Sequence, residues 1–280
     1  MGGLAIIAGA GRLPQLLADS AQDRNQLVTV VCFAGNEDLN WAPDVPVTSA
    51  QFERPQSLFD TLHAQDVTQV VFAGAMNRPA LDPKKFDGTL TRYAPQLLPA
   101  IQKGDNAVLT VVLDMFSDAG FEILRPEDTR PDLLARASVL TTSQPTKDDI
   151  SDAATAAAIV QHLGKLDIGQ GAVVAQGLCL ATETLPGTDA MLHFVAGLDR
   201  DRLPLRNGAR GVLFKGPKPD QDRRVDLPAI GSDTVDLAVK AGLAGIVVEA
   251  EGILIIDRDA TIAAADAAGL FIWARAADQQ

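Results

Sequence analysis

The chain has 280 residues, 47% of them hydrophobic and 21% charged, and its 24 Lys and Arg against 36 Asp and Glu give a net charge of −12. That length exceeds one ordinary domain and predicts two, with ample apolar content for both cores. The acidic balance argues against a nucleic-acid partner, which needs a basic footprint, and against broad adhesion to anionic lipid, but leaves room for a local basic pocket.

No run of eighteen apolar residues occurs, so no membrane-spanning helix is expected. Met1 to Ala8 lacks a basic leader and runs straight into a strand-like segment, which reads as mature structure of a soluble, cytoplasmic protein. Cys32 and Cys179 both sit among apolar neighbours and read as buried small hydrophobes rather than a disulfide or a nucleophile. His63, His162 and His193 are scattered without metal-ligand spacing, so a zinc site is not expected.

The first predicted strand is Leu4–Ala8, a short apolar run bounded by glycines, followed by a tight turn at Gly9-Ala10-Gly11. A helix over Leu13–Ala21 tolerates Pro14 in its first turn. Strand Leu27–Phe33, helix Pro55–Ala64 and strand Gln69–Ala73 follow, and this alternation is the signature of a parallel sheet covered by helices. Helices Leu97–Lys103 and Ala107–Ala119 complete a first domain over 1–128. The pattern breaks around Arg125–Pro145, which places a linker at 129–145 and a second domain at 146–280.

Thr146 and Asp149 have capping-box spacing ahead of an alanine-rich helix, Ile150–Leu163. Two β-like runs, Gly171–Gln176 and Leu178–Thr184, are parted by Gly177, and helical Thr188–Leu198 and strand-like Gly211–Lys215 come next. Thr234–Ala241 is a helix closed by Gly242. Ile246–Val248 and Ile253–Ile256 flank Glu249–Gly252 as an expected hairpin. Asp259 is placed as the cap of a final helix before strand Leu270–Trp273. Adjacent strands mixed with helices predict a mixed α+β fold here, beside an N-terminal parallel-sheet α/β domain.

Several constellations carry possible chemistry. The Gly9-Ala10-Gly11 turn joins a first strand to a helix, where backbone N–H groups and the helix dipole favour an anion. A dinucleotide fingerprint is incomplete, since the run continues Arg12-Leu13-Pro14 and the second strand ends without an acidic residue. Asn77 and Arg78 follow the third strand, at the end of an open α/β sheet where ligands bind. Asp105, in Lys103-Gly-Asp105, reads either as a ligand contact or as the N-cap of the next helix. Thr188 and Asp189 open a helix and serve as cap or as substrate contact.

The densest polar segment runs from Lys215 to Asp233, a loop stiffened by prolines and glycines and rich in lysine, arginine and carboxylate. Lys215, Lys218 and Arg224 can neutralise phosphate oxygens, and a carboxylate can hold a divalent cation. Asp226 stands between apolar Val225 and Leu227, an unusual place for a merely solvated carboxylate.

Leu4-Ala-Ile-Ile-Ala-Gly-Ala-Gly-Arg-Leu-Pro14, Phe72-Ala-Gly74, Lys103-Gly-Asp105, Leu166–Val174, Glu183, Gly187–Met191, Lys215–Pro219, Arg224-Val-Asp-Leu-Pro228 and Ala241–Ile246 together resemble, in order, the LpxI-type UDP-2,3-diacylglucosamine pyrophosphatases of lipid A biosynthesis. After Phe72-Ala-Gly74 the family pattern continues with Asn, where this chain has Ala75. The resemblance implies a Rossmann-like N-terminal domain, a distinct C-terminal catalytic domain and a substrate cleft between them. It implies a hydrolase using Mg2+ or another divalent cation such as Mn2+, with water attacking the sugar-side phosphorus to give lipid X and UMP. On that pattern Asp226 is the catalytic residue; the chemistry of the loop itself adds Lys215 as a catalytic cation and places the metal on Asp226 and Asp189. Gly9, Ala10, Gly11, Asn77, Asp105, Thr188, Asp189, Lys218 and Arg224 form the substrate-binding set. A lipid-linked substrate implies transient contact with the cytoplasmic face of the inner membrane, and the oligomeric state stays open. A non-catalytic UDP-sugar-sensing module is the competing class, distinguished by the lack of UMP release.

Overall fold

The computed structural model describes residues 2–33, 45–76, 79–199, 202–206, 209–219 and 221–276. The chain divides into two compact units, Met1–Pro131 and Asp132–Gln280.

The first unit runs β1 (Gly3–Ala8), α1 (Leu13–Asp23), β2 (Val28–Phe33), β3 (Val47–Ala50), α2 (Pro55–Ala64), β4 (Val67–Ala73), α3 (Gly88–Lys103), α4 (Asp105–Asp118), β5 (Glu122–Leu124) and α5 (Pro126–Thr129). Its strands order as β3-β2-β1-β4-β5, with every pairing parallel. Ile6 pairs with Val30 on one side and Val71 on the other. All of β1 is buried, as a strand covered on both faces must be. Leu58, Phe59, Leu62, Phe116 and Phe121 fill one side of the core, with the Phe59 and Phe116 rings meeting edge to face at 4.9 Å.

This is the parallel, Rossmann-like sheet the alternation predicts. Strands β3 and β5 escape periodicity because they are short and partly exposed. Helix α3 starts earlier than Leu97: Asp87 caps it by accepting from the Leu90 N–H at 2.9 Å, and Pro95 and Pro99 are carried inside it. The cap of α4 is Gly104 at φ 129°, so Asp105 is the first helical residue and not the cap.

The second unit runs β6 (Ser138–Val139), α6 (Lys147–Gly164), β7 (Gly171–Ala175), β8 (Leu178–Thr182), α7 (Gly187–Ala196), β9 (Val212–Lys215), β10 (Ala229–Ile230), α8 (Ser232–Lys240), β11 (Gly245–Glu249), β12 (Leu254–Ile255), α9 (Arg258–Ala267) and β13 (Phe271–Arg275). Six strands order as β6-β13-β11-β9-β7-β8 in a mixed sheet: β9, β11 and β13 are parallel, and β6, β7 and β8 run antiparallel to their neighbours. The predicted capping box forms, with Asp149 accepting from the Thr146 N–H at 2.8 Å and Thr146 accepting from the Asp149 N–H at 3.2 Å. Gln176 and Gly177, at φ 52° and 75°, turn β7 into β8, and buried Asp152 accepts both of their N–H groups.

Three expectations are corrected here. The expected hairpin across Glu249–Gly252 does not form, because β11 lies between β9 and β13 while β12 leaves that sheet to pair in parallel with β10. Two apolar runs around a turn therefore read as antiparallel neighbours when each belongs to a different sheet. The position flanking α9 is Asp257, at φ 43°, and Asp259 stands in the first turn. Cys32 is buried as expected, whereas Cys179 is exposed because β8 is an edge strand. Among the described residues no helix is long and apolar enough to cross a membrane.

Candidate functional site

Residues expected to bind a ligand lie in both units. In the first, the Gly9–Gly11 turn meets the segment after β4. The Gly9 N–H donates to the Ala73 carbonyl at 2.7 Å, the Ala10 N–H to the Ala75 carbonyl at 2.7 Å, and the Ala75 N–H to the Ala10 carbonyl at 3.1 Å. A Cβ on Gly9 would stand 2.4 Å from the Ala75 carbonyl oxygen, and one on Gly74 would stand 2.3 Å from that of Ala10. These glycines let two backbones touch at the carboxyl end of the sheet, between β1 and β4, where the strand order reverses. The Gly9 and Ala10 donors are thereby occupied. The amides that remain for an anion are those of the turn at Gly11, at φ 95°, and of the first turn of α1, which has no side-chain cap. Asp105 opens α4. Asn77 and Arg78 lie outside the described residues.

In the second unit, Lys215 ends the buried strand β9, so its side chain starts from the core and only 8% of the residue reaches solvent. Its Nζ donates to the Ala229 carbonyl at 3.0 Å. That bond closes the base of the loop from Gly216 to Pro228, because Ala229 starts β10 where the chain re-enters a sheet. An ammonium has three donors, and Ala229 uses one of them. Burial pushes the Lys215 ammonium below the ordinary lysine value, while the negative charges of Glu183 and then Asp189 push it back up.

Thr188 and Asp189 occupy the first turn of α7, whose flanking residue Pro186 supplies no side-chain cap. Neither is a cap itself. Thr188 is buried and its hydroxyl donates to Glu183, also buried, while Asp189 is exposed.

The loop itself is held by pairs. Half-buried Asp226 accepts from the Gln221 Nε2 at 2.6 Å, and the Oε1 of the same Gln221 accepts from the Lys218 N–H at 2.9 Å. One side chain thus ties the lysine and carboxylate parts of the loop together. Lys218 Nζ bonds Asp167 Oδ1 at 2.5 Å. Arg224 donates to both oxygens of Asp222, at 3.0 Å from Nε to Oδ1 and 2.7 Å from Nη2 to Oδ2. Arg223 reaches Glu249 at 3.0 Å. The segment therefore pairs cations with carboxylates at several points, a compact arrangement in which an incoming polyanion competes for already oriented donors.

Of the second unit's expected site residues, the structure ties Thr188 to Glu183, brings Glu183 and Asp189 within electrostatic reach of Lys215, and ties Lys218 to Asp226 through Gln221. Glu183, Gln221 and Asp167 escaped assignment. Glu183 and Asp167 lie in family-like segments but carry no local signal of burial or pairing, and Gln221 is an ordinary polar loop residue; the partners of all three are set only by folding.

A parallel Rossmann-like unit and a mixed-sheet unit, the second with a buried lysine at the base of a charged loop, define a two-unit α/β protein. Comparison with known proteins agrees with that class over the whole chain: the LpxI N-terminal domain matches residues 3–133 and the LpxI C-terminal domain residues 136–273. The chain belongs to the LpxI family. It is 40% identical over 271 residues to the UDP-2,3-diacylglucosamine pyrophosphatase LpxI of Caulobacter vibrioides, covering 96% of each chain.

Proposed function

We propose that the chain hydrolyses the pyrophosphate bond of UDP-2,3-diacylglucosamine to 2,3-diacylglucosamine 1-phosphate (lipid X) and UMP, a step of lipid A biosynthesis. The observation that carries this reading is the end-to-end similarity to a Caulobacter relative named for that activity. The local chemistry supports it. Water's oxygen bonds to the sugar-side phosphorus, the bond from that phosphorus to the bridging oxygen breaks, and UMP departs with the bridging oxygen. Charge on the pyrophosphate must be neutralised as this happens. Lys215 supplies a buried ammonium with donors beyond the one Ala229 takes, and Lys218 and Arg224 add cations that exchange carboxylate partners for phosphate oxygens. The backbone N–H groups of the Gly11 turn and of the first turn of α7, where Thr188 stands, supply neutral donors; Asn77 and Asp105 complete the proposed substrate-binding set, with Gly9 and Ala10 entering it through their small size, since their own N–H groups are already used.

Asp226 is the proposed catalytic carboxylate. Gln221 donates to it at 2.6 Å, which orients the carboxylate for the proposed work on a water proton or a cation. Among the described residues no cluster of three or more His, Cys, Asp or Glu is arranged for a metal. Mg2+ is nonetheless commonly held by one or two carboxylates together with substrate phosphates and water, so the oxygen donors Asp226 and Asp189 fit it, or Mn2+, in the presence of substrate. A bound cation supplies Lewis-acid charge neutralisation at the pyrophosphate. Exposed Leu185, just before α7, and Phe194, on it, offer apolar surface suited to an acylated substrate and to passing contact with the cytoplasmic face of the inner membrane.

The test is Asp226→Ala, assayed for UMP release with UDP-2,3-diacylglucosamine, with and without Mg2+. We expect a fall of at least about 100-fold in kcat, the scale of a lost acid–base group. Near-normal turnover would remove Asp226 from the mechanism, and tight UDP-sugar binding by the unaltered chain without UMP release in any metal would favour a sensing module.

A further inference from the structure

Glu183, Lys215 and Thr188 are three polar residues buried in one unit, with 6%, 8% and 9% of their surfaces exposed. Backbone pairing brings them to one end of the mixed sheet. Lys215 is the register partner of Gly171 across β7 and β9, and the N–H of Glu183 donates to the Gly171 carbonyl at 2.8 Å. Glu183 and Lys215 therefore flank the same residue. Two glycines make room for the acid. A Cβ on Gly171 would stand 3.0 Å from Glu183 Oε2, and one on Gly169 would stand 2.0 Å from the Glu183 carbonyl oxygen. The carboxylate thus lies in the space that a side chain on Gly171 would take. Its Oε2 accepts the Thr188 hydroxyl.

We propose that Glu183 is the positioning residue of this site, its buried carboxylate supplying the countercharge that holds the Lys215 ammonium in place and the acceptor that orients Thr188. The proposal rests on the reading above, in which Lys215 neutralises phosphate charge. A buried ammonium with a carbonyl as its hydrogen-bond partner is poorly compensated, and a nearby buried carboxylate offsets that cost. Of the negative charges acting on Lys215, that of Glu183 is the stronger and that of Asp189 the weaker. Asp189 is exposed and so is screened by solvent. Glu183 is buried against Gly171, the residue that pairs with Lys215, where solvent screens it less.

The role differs from a structural one in what a neutral isostere does. Glu183→Gln keeps the shape and still accepts the Thr188 hydroxyl, but removes the charge. We expect the full chain carrying Glu183→Gln to unfold thermally close to the unaltered protein. Its kcat for UMP release should fall about 10- to 100-fold, the usual effect of removing a group that orients a reacting one. KM should move much less. Glu183→Asp keeps the charge at a shorter reach and should turn over faster than Glu183→Gln. In a Lys215→Ala background neither substitution should lower kcat further, since the residue it acts through is gone.

Turnover by Glu183→Gln equal to that of the unaltered chain overturns the proposal, as does Glu183→Gln outpacing Glu183→Asp. An equal fall in both Lys215 backgrounds also overturns it, because Glu183 would then act elsewhere. Both Glu183 variants are read in both backgrounds, so a loss of folding in one leaves the other decisive. Unaltered kcat in Lys215→Ala alone removes the role of Lys215 and the proposal with it, an outcome distinct from failure at Glu183.

Discussion

The glycine bridge between Gly9–Ala10 and Gly74–Ala75 and the buried lysine at the end of β9 sit at comparable places, each at the end of a sheet in its own unit. They treat their polar groups in opposite ways. At the bridge, backbone N–H and carbonyl groups pair with one another and leave little to offer a ligand. At Lys215, a charged group is carried into a dry setting with one hydrogen bond to a carbonyl, and oppositely charged neighbours partly compensate it. Satisfied polar groups stabilise a fold; an under-compensated buried charge is retained against its desolvation cost, which fits a role in chemistry. On the proposed function, the first place is scaffold and the second carries chemistry.

The largest expected effect tests that division directly. Lys215→Ala should lower kcat for UMP release by about 100- to 1000-fold, the scale of losing one group that stabilises transition-state charge. Thermal unfolding should shift far less than that activity loss, since removing Lys215 also removes a desolvated charge. A parallel collapse of stability and turnover would make Lys215 scaffold after all. Gly74→Ala should do the reverse. Its Cβ meets the Ala10 carbonyl oxygen at a backbone φ of 88° that L residues avoid, so we expect a loss of roughly 1–3 kcal/mol in urea unfolding. Unchanged stability there would show that the two backbones separate easily.

The alkaline behaviour of Lys215 is a subtler version of the same test. In the proposed role the protonated form neutralises phosphate charge, and burial lowers its pKa below the ordinary 10.5. Activity carried by this group is therefore present at lower pH and lost as pH rises through that lowered value. Stability moves the other way. Between the lowered value and 10.5 the unfolded chain binds the extra proton, so the folded state gains stability as pH rises through that window. Rate and melting temperature measured together across the alkaline range should diverge, and Lys215→Ala should abolish the divergence.

How much of this was legible beforehand follows the same physical line. Strands with continuous apolar runs, such as Leu4–Ala8, announce themselves because both faces are buried. So does the capping box at Thr146 and Asp149, which is local by nature. Strand β12 is legible but its pairing is not, because its partner, β10, comes some two dozen residues earlier in the chain, and no local spacing encodes that pairing. At the site, the importance of Lys215 and Asp226 showed in their surroundings: one ends an apolar strand and the other stands between Val225 and Leu227. Glu183 and Gln221 had no such signal. The first is buried by its packing over Gly171, and the second works through a side-chain bond that depends on the folded loop.

The smallest effect sharpens the comparison from the other side. Arg223 pairs with Glu249 at 3.0 Å and anchors the charged loop to the end of β11, yet the two side chains are 49% and 23% exposed. A pair so open to solvent contributes within about 1 kcal/mol. Arg223→Ala should therefore leave thermal unfolding almost unchanged, and UMP release within severalfold of normal, because Gln221 still ties Lys218 to Asp226. A loss as large as that of Lys215→Ala would mean that the surface clamp, and not the buried lysine, sets the geometry of the loop. The contrast between a screened pair and a desolvated charge separates these outcomes: similar distances carry different weights when one ion is wet and the other is dry.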